Sequence, residues 1–132
     1  MRNIYSNALI KQHYVIKAPV AKVWRSFVDP KVIDSWGGGP AKMDDKVGTK
    51  FSLWGGDIYG INTEVIPEKN LVQDWYGGDW DKPSKVTFTL TDKGNETEID
   101  LVHTDLPEGE EENFADGWKS YYVGAIKELL EK

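Results

Sequence analysis

The chain holds two imidazoles, at His13 and His103, and no cysteine. Thiolate nucleophiles, disulfides and Cys-based metal sites are thereby excluded, and a metal site would have to rest mostly on carboxylates. His103 is the stronger candidate for chemistry. The segment Glu96–Thr104 alternates, with Thr97, Ile99, Leu101 and His103 on one face and Glu96, Glu98 and Asp100 on the other. An inward imidazole among apolar neighbours can act as a general base or hydrogen-bond to a ligand. Its commoner role is that of a satisfied interior residue. His13 lies near the N-terminal end and invites a functional role less than His103 does. Asp74 is flanked by Gln73 and Trp75, and its phase, opposite to Trp75, turns it toward solvent.

The aromatic residues are the second chemical signal. Six Trp, six Tyr and four Phe among 132 residues suggest an interior built on large rings. Trp54, Tyr59, Trp75 and Trp118 are candidates for an aromatic pocket, with plain core filling as the competing role. Strand parity and the C-terminal apolar stripe assemble a predicted cavity wall of Phe51, Leu53, Tyr59, Trp75, Phe88, Leu101, His103, Trp118 and Tyr122. Catalytic motifs are missing by contrast. Gly37-Gly38-Gly39 ends a helical segment instead of opening one after a strand, and no P-loop Lys-Ser/Thr follows, so it is no phosphate cradle. There is no nucleophile elbow, no His-Glu-x-x-His pair and no nucleophile–base–orienter set. No catalytic residue, metal ligand or cofactor is assigned, and the reading leans away from an enzyme.

Charge narrows the partners. With 22 acidic and 16 basic residues the net charge is -6, and no basic patch is visible to meet nucleic-acid phosphates. No run is long enough to span a bilayer, and the N-terminus lacks a signal-peptide apolar stretch, which together predict a cytoplasmic protein.

These groups need a frame to position them. From Pro107 to Lys132, Phe114, Trp118, Tyr121, Tyr122, Ala125, Ile126, Leu129 and Leu130 form one stripe of a 3.6-period helix. Pro107 and the acidic run Glu108 to Glu112 mark its start, where negative charge suits the helix dipole. Ahead of it, Met1 to Ala8 is expected to fray, and Ile10–Ile16 to form a strand. Val20, Val23, Trp24 and Phe27 predict a short helix with Pro19 at its first position. Asp29-Pro30 caps a second, with Val32, Ile33 and Trp36 as its apolar side. Strands follow at Ala41–Met43, Thr49–Trp54, Ile58–Ile66, Leu71–Tyr76, Ser84–Thr91 and Glu96–Thr104. Short turns between them imply an antiparallel meander with one dry face. The predicted class is α+β: one domain over residues 1–132, with a curved antiparallel sheet wrapped around a long C-terminal helix and two short helices after the first strand.

Three separated segments carry a family resemblance. Ala18-Pro19-Val20-Ala21-Lys22-Val23-Trp24, with Asp29-Pro30 and Trp36-Gly37 after it, resembles the opening of START-like (birch-pollen-allergen, helix-grip) domains. The stretch from Gly60 through Glu64-Val65-Ile66-Pro67-Glu68-Lys69-Asn70-Leu71-Val72 to Trp75 is similar to the branch named for the activator of the ninety-kilodalton heat-shock chaperone's ATPase. Gly117-Trp118-Lys119-Ser120-Tyr121-Tyr122, with Ile126-Lys127, resembles the same branch. The resemblance implies a helix-grip fold and two candidate partners, a small apolar ligand and a heat-shock chaperone. The branch's co-chaperones carry an additional N-terminal domain that is not seen here, so the expectation is weak stimulation of a chaperone or none. Three readings stand: a non-enzymatic domain binding a small apolar or aromatic molecule between sheet and helix, a chaperone-interacting module, and a pocket enzyme using His103.

Overall fold

The computed structural model describes residues 9–132. The expectation for Met1 to Ala8 lies outside these residues. Alternating β-branched and aromatic residues form β1 (Ile10–Ile16), β2 (Lys50–Leu53), β3 (Ile58–Ile66), β4 (Asn70–Gly77), β5 (Ser84–Asp92) and β6 (Thr97–Thr104). They build one curved six-stranded antiparallel sheet in the order β1-β6-β5-β4-β3-β2. Period-two patterning decides which face is dry. Thr97, Ile99, Leu101 and His103 of β6 are all fully buried, as parity requires, and Val86, Phe88 and Leu90 continue that face on β5. The register sets Val86 opposite His103 and Phe88 opposite Leu101.

Two short helices follow β1. In α1 (Val20–Val28) the predicted Val20, Val23, Trp24 and Phe27 are buried, together with Ser26 and Val28. Pro19 stands one place earlier than expected, as the N-cap with extended backbone. In α2 (Pro30–Trp36), Asp29 caps the helix by accepting the Lys31 N–H at 3.0 Å, and Pro30 occupies the first turn. Gly37 ends α2 with φ 99°, the left-handed conformation in which a Cβ is strained. The expected strand at Ala41–Met43 does not form, and that stretch contributes a single bridge between Lys42 and Ser52.

The C-terminal segment is helical from Glu111 to Leu130, beginning after Pro107 and not at it, with Glu111 and Glu112 in its first turn. It is not one regular helix. Between α3 (Glu111–Gly117) and α4 (Val123–Leu130), residues Trp118–Tyr122 form a π-turn, in which the Val123 N–H donates to the Trp118 carbonyl five residues back. Gly124 makes room for it, because a Cβ there would lie 1.8 Å from the Lys119 carbonyl oxygen. The wider turn rephases the stripe. Tyr121, expected to be buried, is 67% exposed, while Val123 is fully buried alongside Trp118, Tyr122 and Ile126.

This helical segment also bonds to β1 and to the residue just after it. The Lys127 ammonium donates to the Val15 carbonyl at 2.8 Å, the Gln12 amide to the Ala115 carbonyl at 3.0 Å, and the Lys17 N–H to the Glu131 carboxylate at 2.9 Å. The Lys127 ammonium thereby occupies one backbone carbonyl of this edge strand. Among the described residues, no helix is long and apolar enough to cross a membrane.

Candidate functional site

The inward His103 is held by a directed chain of hydrogen bonds. The Trp118 indole N–H, which can only donate, meets His103 Nδ1 at 3.1 Å. Nδ1 is therefore the acceptor, and Nε2–H donates to Ser84 Oγ at 2.8 Å. The Ser84 hydroxyl passes the sequence on to the Trp75 carbonyl at 3.2 Å. Burial lowers the His103 pKa to about 3, so the ring is neutral at physiological pH. Its one lone pair is already committed, which corrects the general-base reading: the imidazole ties β5, β6 and the π-turn together.

A second chain leaves the indole of Trp75. Its N–H donates to Gln73 Oε1 at 2.8 Å, Gln73 Nε2 donates to Asn62 Oδ1 at 2.9 Å, and Asn62 Nδ2 donates to the carbonyls of Asp44 and Lys46, both at 3.1 Å. Gln73 and Asn62 are fully buried. The sequence reading missed both, although Gln73 shares the parity of Leu71 and Trp75.

Tyr122 is the exception to this bookkeeping. Its hydroxyl is the one buried side-chain polar atom among the described residues without a hydrogen-bond partner. The ring packs at 4.6 Å from Trp36 and 4.8 Å from Trp118, with Trp54, Trp75, Phe27 and Phe88 around it at about 6 Å. Burial raises the phenol's pKa, so it stays a neutral donor and acceptor.

Beside Tyr122 lies a cleft of about 330 Å³ between the C-terminal helical segment and the β2–β3 end of the sheet. Trp75, Trp118 and Tyr122 form its buried floor, and Trp54, Phe114 and Tyr121 flank them. Ile58 and Gly117 complete the apolar wall, while Asp57, Asn113 and Asp116 supply the polar positions. Trp54 has φ 49°, an uncommon conformation for a bulky residue, and its N–H donates to the Gly38 carbonyl at 2.7 Å. The Gly-Gly-Gly-Pro loop thus fixes the backbone of a cleft residue. A bulky side chain held in such a conformation is characteristic of functional sites.

Of the nine predicted wall residues, Trp75, Trp118 and Tyr122 reach this cleft. Phe51, Leu53, Phe88, Leu101 and His103 are buried and do not line it. Tyr59 is displaced altogether: it is 40% exposed, stacks on Tyr76 at 5.3 Å and donates to the Gly78 carbonyl. Trp54, one of the aromatic candidates, lines the cleft as well, while Asp57 and Asp116 are lining residues that the sequence did not point to, since they depend on the turn between β2 and β3 and on the placement of α3.

The remaining candidates lie elsewhere. His13 sits on the exposed face, with Nδ1 2.8 Å from Asp100 and Nε2 3.6 Å from Glu98, and the Asp100 hydrogen bond raises its pKa. Asp74 is half-buried opposite Lys85. Among the described residues no group of His, Asp and Glu could hold a metal.

Residues 17–131 match the family model described as activator of Hsp90 ATPase homolog 1-like protein. Similar curated proteins include the human activator of 90 kDa heat shock protein ATPase homolog 1, 32% identical over 111 residues, covering 83% of this chain and 33% of that protein. The Hsp90 co-chaperone AHA1 of Saccharomyces cerevisiae is 29% identical over 120 residues, again 83% of this chain and 33% of that one. The chain spans about a third of the length of these curated relatives. Among solved structures, an HSP90 activator from Plasmodium falciparum superposes with a TM-score of 0.86 at 27% identity, over 93% of this chain and 96% of that one. With the match running from the end of β1 to the end of α4, the chain belongs to the family of activator of Hsp90 ATPase homolog 1-like proteins.

Proposed function

We propose that this chain is a binding module that holds a small, mostly apolar aromatic molecule in the cleft beside the π-turn. The observation that carries the reading is the aromatic cleft itself, whose buried floor includes Tyr122 with its unpartnered hydroxyl. Apolar clefts with a few convergent polar groups are how small-molecule sites are usually built, and about 300 Å³ is the small end of their range. The test is a panel of aromatic and lipid-like probes followed by amide chemical shifts, with native mass spectrometry of freshly purified protein for a co-purifying molecule. Shifts at Trp118–Tyr122 and around Trp54–Ile58 are expected. A panel that moves neither segment sinks the reading.

A second reading, contact with a heat-shock chaperone in the cytoplasm, is supported by the relatives' names and by the superposition on nearly all of the solved Plasmodium falciparum activator chain. Its measurement is the chaperone's ATPase rate with and without the isolated chain. Several-fold stimulation would favour it over the cleft reading, and the expected result is little or none.

A further inference from the structure

The cleft has a polarity gradient that selects among aromatic molecules. Its floor, Trp75, Trp118 and Tyr122, is at most 2% exposed, whereas Asp57 and Asp116 are exposed residues of the lining. Asp57 follows the turn after β2 and Asp116 belongs to α3, so one carboxylate comes from the sheet side and one from the helix side. No lysine or arginine lines the cleft. A carboxylate or phosphate ligand entering it would lose hydration beside two like charges and find no cation. An ammonium would find two carboxylates together with the faces of Trp and Tyr rings, which attract cations. The chain's net charge of -6 acts in the same direction at longer range. Tyr122, in the buried floor, carries an unpartnered hydroxyl that one polar group on the innermost part of the ligand would satisfy.

Resting on the cleft as a ligand site, we infer that its ligand is an aromatic alkylamine: a one- or two-ring system bearing a hydroxyl or carbonyl that meets Tyr122, with its ammonium between Asp57 and Asp116. The volume of about 330 Å³ suits a ligand of that size.

Four indoles separate the two contributions. The isotope-labelled full chain is titrated at low salt with 5-hydroxytryptamine, tryptamine, 5-hydroxyindole and 5-hydroxyindole-3-acetate, and affinities are read from amide shifts of the cleft residues. 5-Hydroxytryptamine should bind about tenfold more tightly than 5-hydroxyindole-3-acetate, the sum of two modest ion pairs and a cation–π contact. In the double variant Asp57→Asn, Asp116→Asn that preference should vanish while 5-hydroxyindole binds as before. Tyr122→Phe should weaken 5-hydroxytryptamine several-fold and leave tryptamine unchanged. If 5-hydroxyindole-3-acetate binds as well as 5-hydroxytryptamine, or the preference survives the double variant, the inference is overturned while the cleft reading stands. If none of the four moves the cleft signals, the cleft reading and the inference fall together.

Discussion

His103 and Tyr122 are polar side chains buried in the same aromatic core, both against Trp118, yet their surroundings are opposite. Both ring nitrogens of His103 are engaged, and its bonds run on through Ser84 to the backbone. The Tyr122 hydroxyl, equally inaccessible, has no partner. An unpartnered buried hydroxyl costs about 1–3 kcal/mol, so its retention inside a finely paired interior is itself informative. The core is completed where it joins sheet to helix and left incomplete where it meets the cleft.

The largest expected effect comes from removing the residue the two sides share. Trp118→Ala deletes the ring packed on Trp75, Phe88 and Tyr122 and strands His103 Nδ1, for a loss of about 3–5 kcal/mol in a urea titration. A midpoint that barely moves would mean the π-turn does not anchor the helix.

Acid tests the completed side. His103 titrates at about 3 when folded and at 6.5 ordinarily, so the unfolded chain binds more protons between those values. Its contribution is fully present above pH 6.5 and fades as pH falls toward 3, amounting to a loss of about 2 kcal/mol between pH 7 and pH 5. His13 works in the other sense. Its raised pKa gives stability that is present below 6.5 and lost as pH rises through the folded value, a small term for a side chain half in solvent. Urea midpoints of the His13→Asn variant at the two pH values isolate the His103 contribution. Equal midpoints would break the contrast.

The smallest effect is the most diagnostic. At a bonded hydroxyl, Tyr→Phe destabilises. Tyr122→Phe should be neutral or stabilising by up to about 1 kcal/mol without ligand, because it removes an unpaired group and keeps the ring. A clear destabilisation would reveal a partner for the hydroxyl and erase the difference between the two sides.

β5 and β6 were legible because each carries a period-two pattern, β1 because of its β-branched and aromatic residues, and β3 and β4 because turn residues bound them. β1 and β3 run over the predicted residues, and the inward set of β6 is the predicted one. Asp29-Pro30 marked its helix for a similarly local reason, a side-chain cap followed by a residue with fixed φ. The cleft was less legible because it depends on a change of phase. A constant 3.6 period places Tyr121 in the core, and the π-turn turns it out to the rim. The available signal was Gly124, a glycine where a helix former was expected, and its reason is a carbonyl on the preceding turn. The buried amides of Gln73 and Asn62 were hidden differently. Polar residues on a dry face look like errors of parity until the partners that satisfy them are known.

The position of β1 has a consequence in time. Its sheet partner is β6, and the C-terminal helix meets it through the Ala115 carbonyl and the Lys127 ammonium. During synthesis β3 to β6 can each pair with the strand made just before as they emerge, while the first strand waits for β6 and the C-terminal helix, whose contacts are among the last to be made. Such long-range closure is slow, and an unpaired strand is open to other chains meanwhile. The end of the chain made earliest is thus the end finished last, and the nascent protein passes through a stage in which its sheet lacks one border.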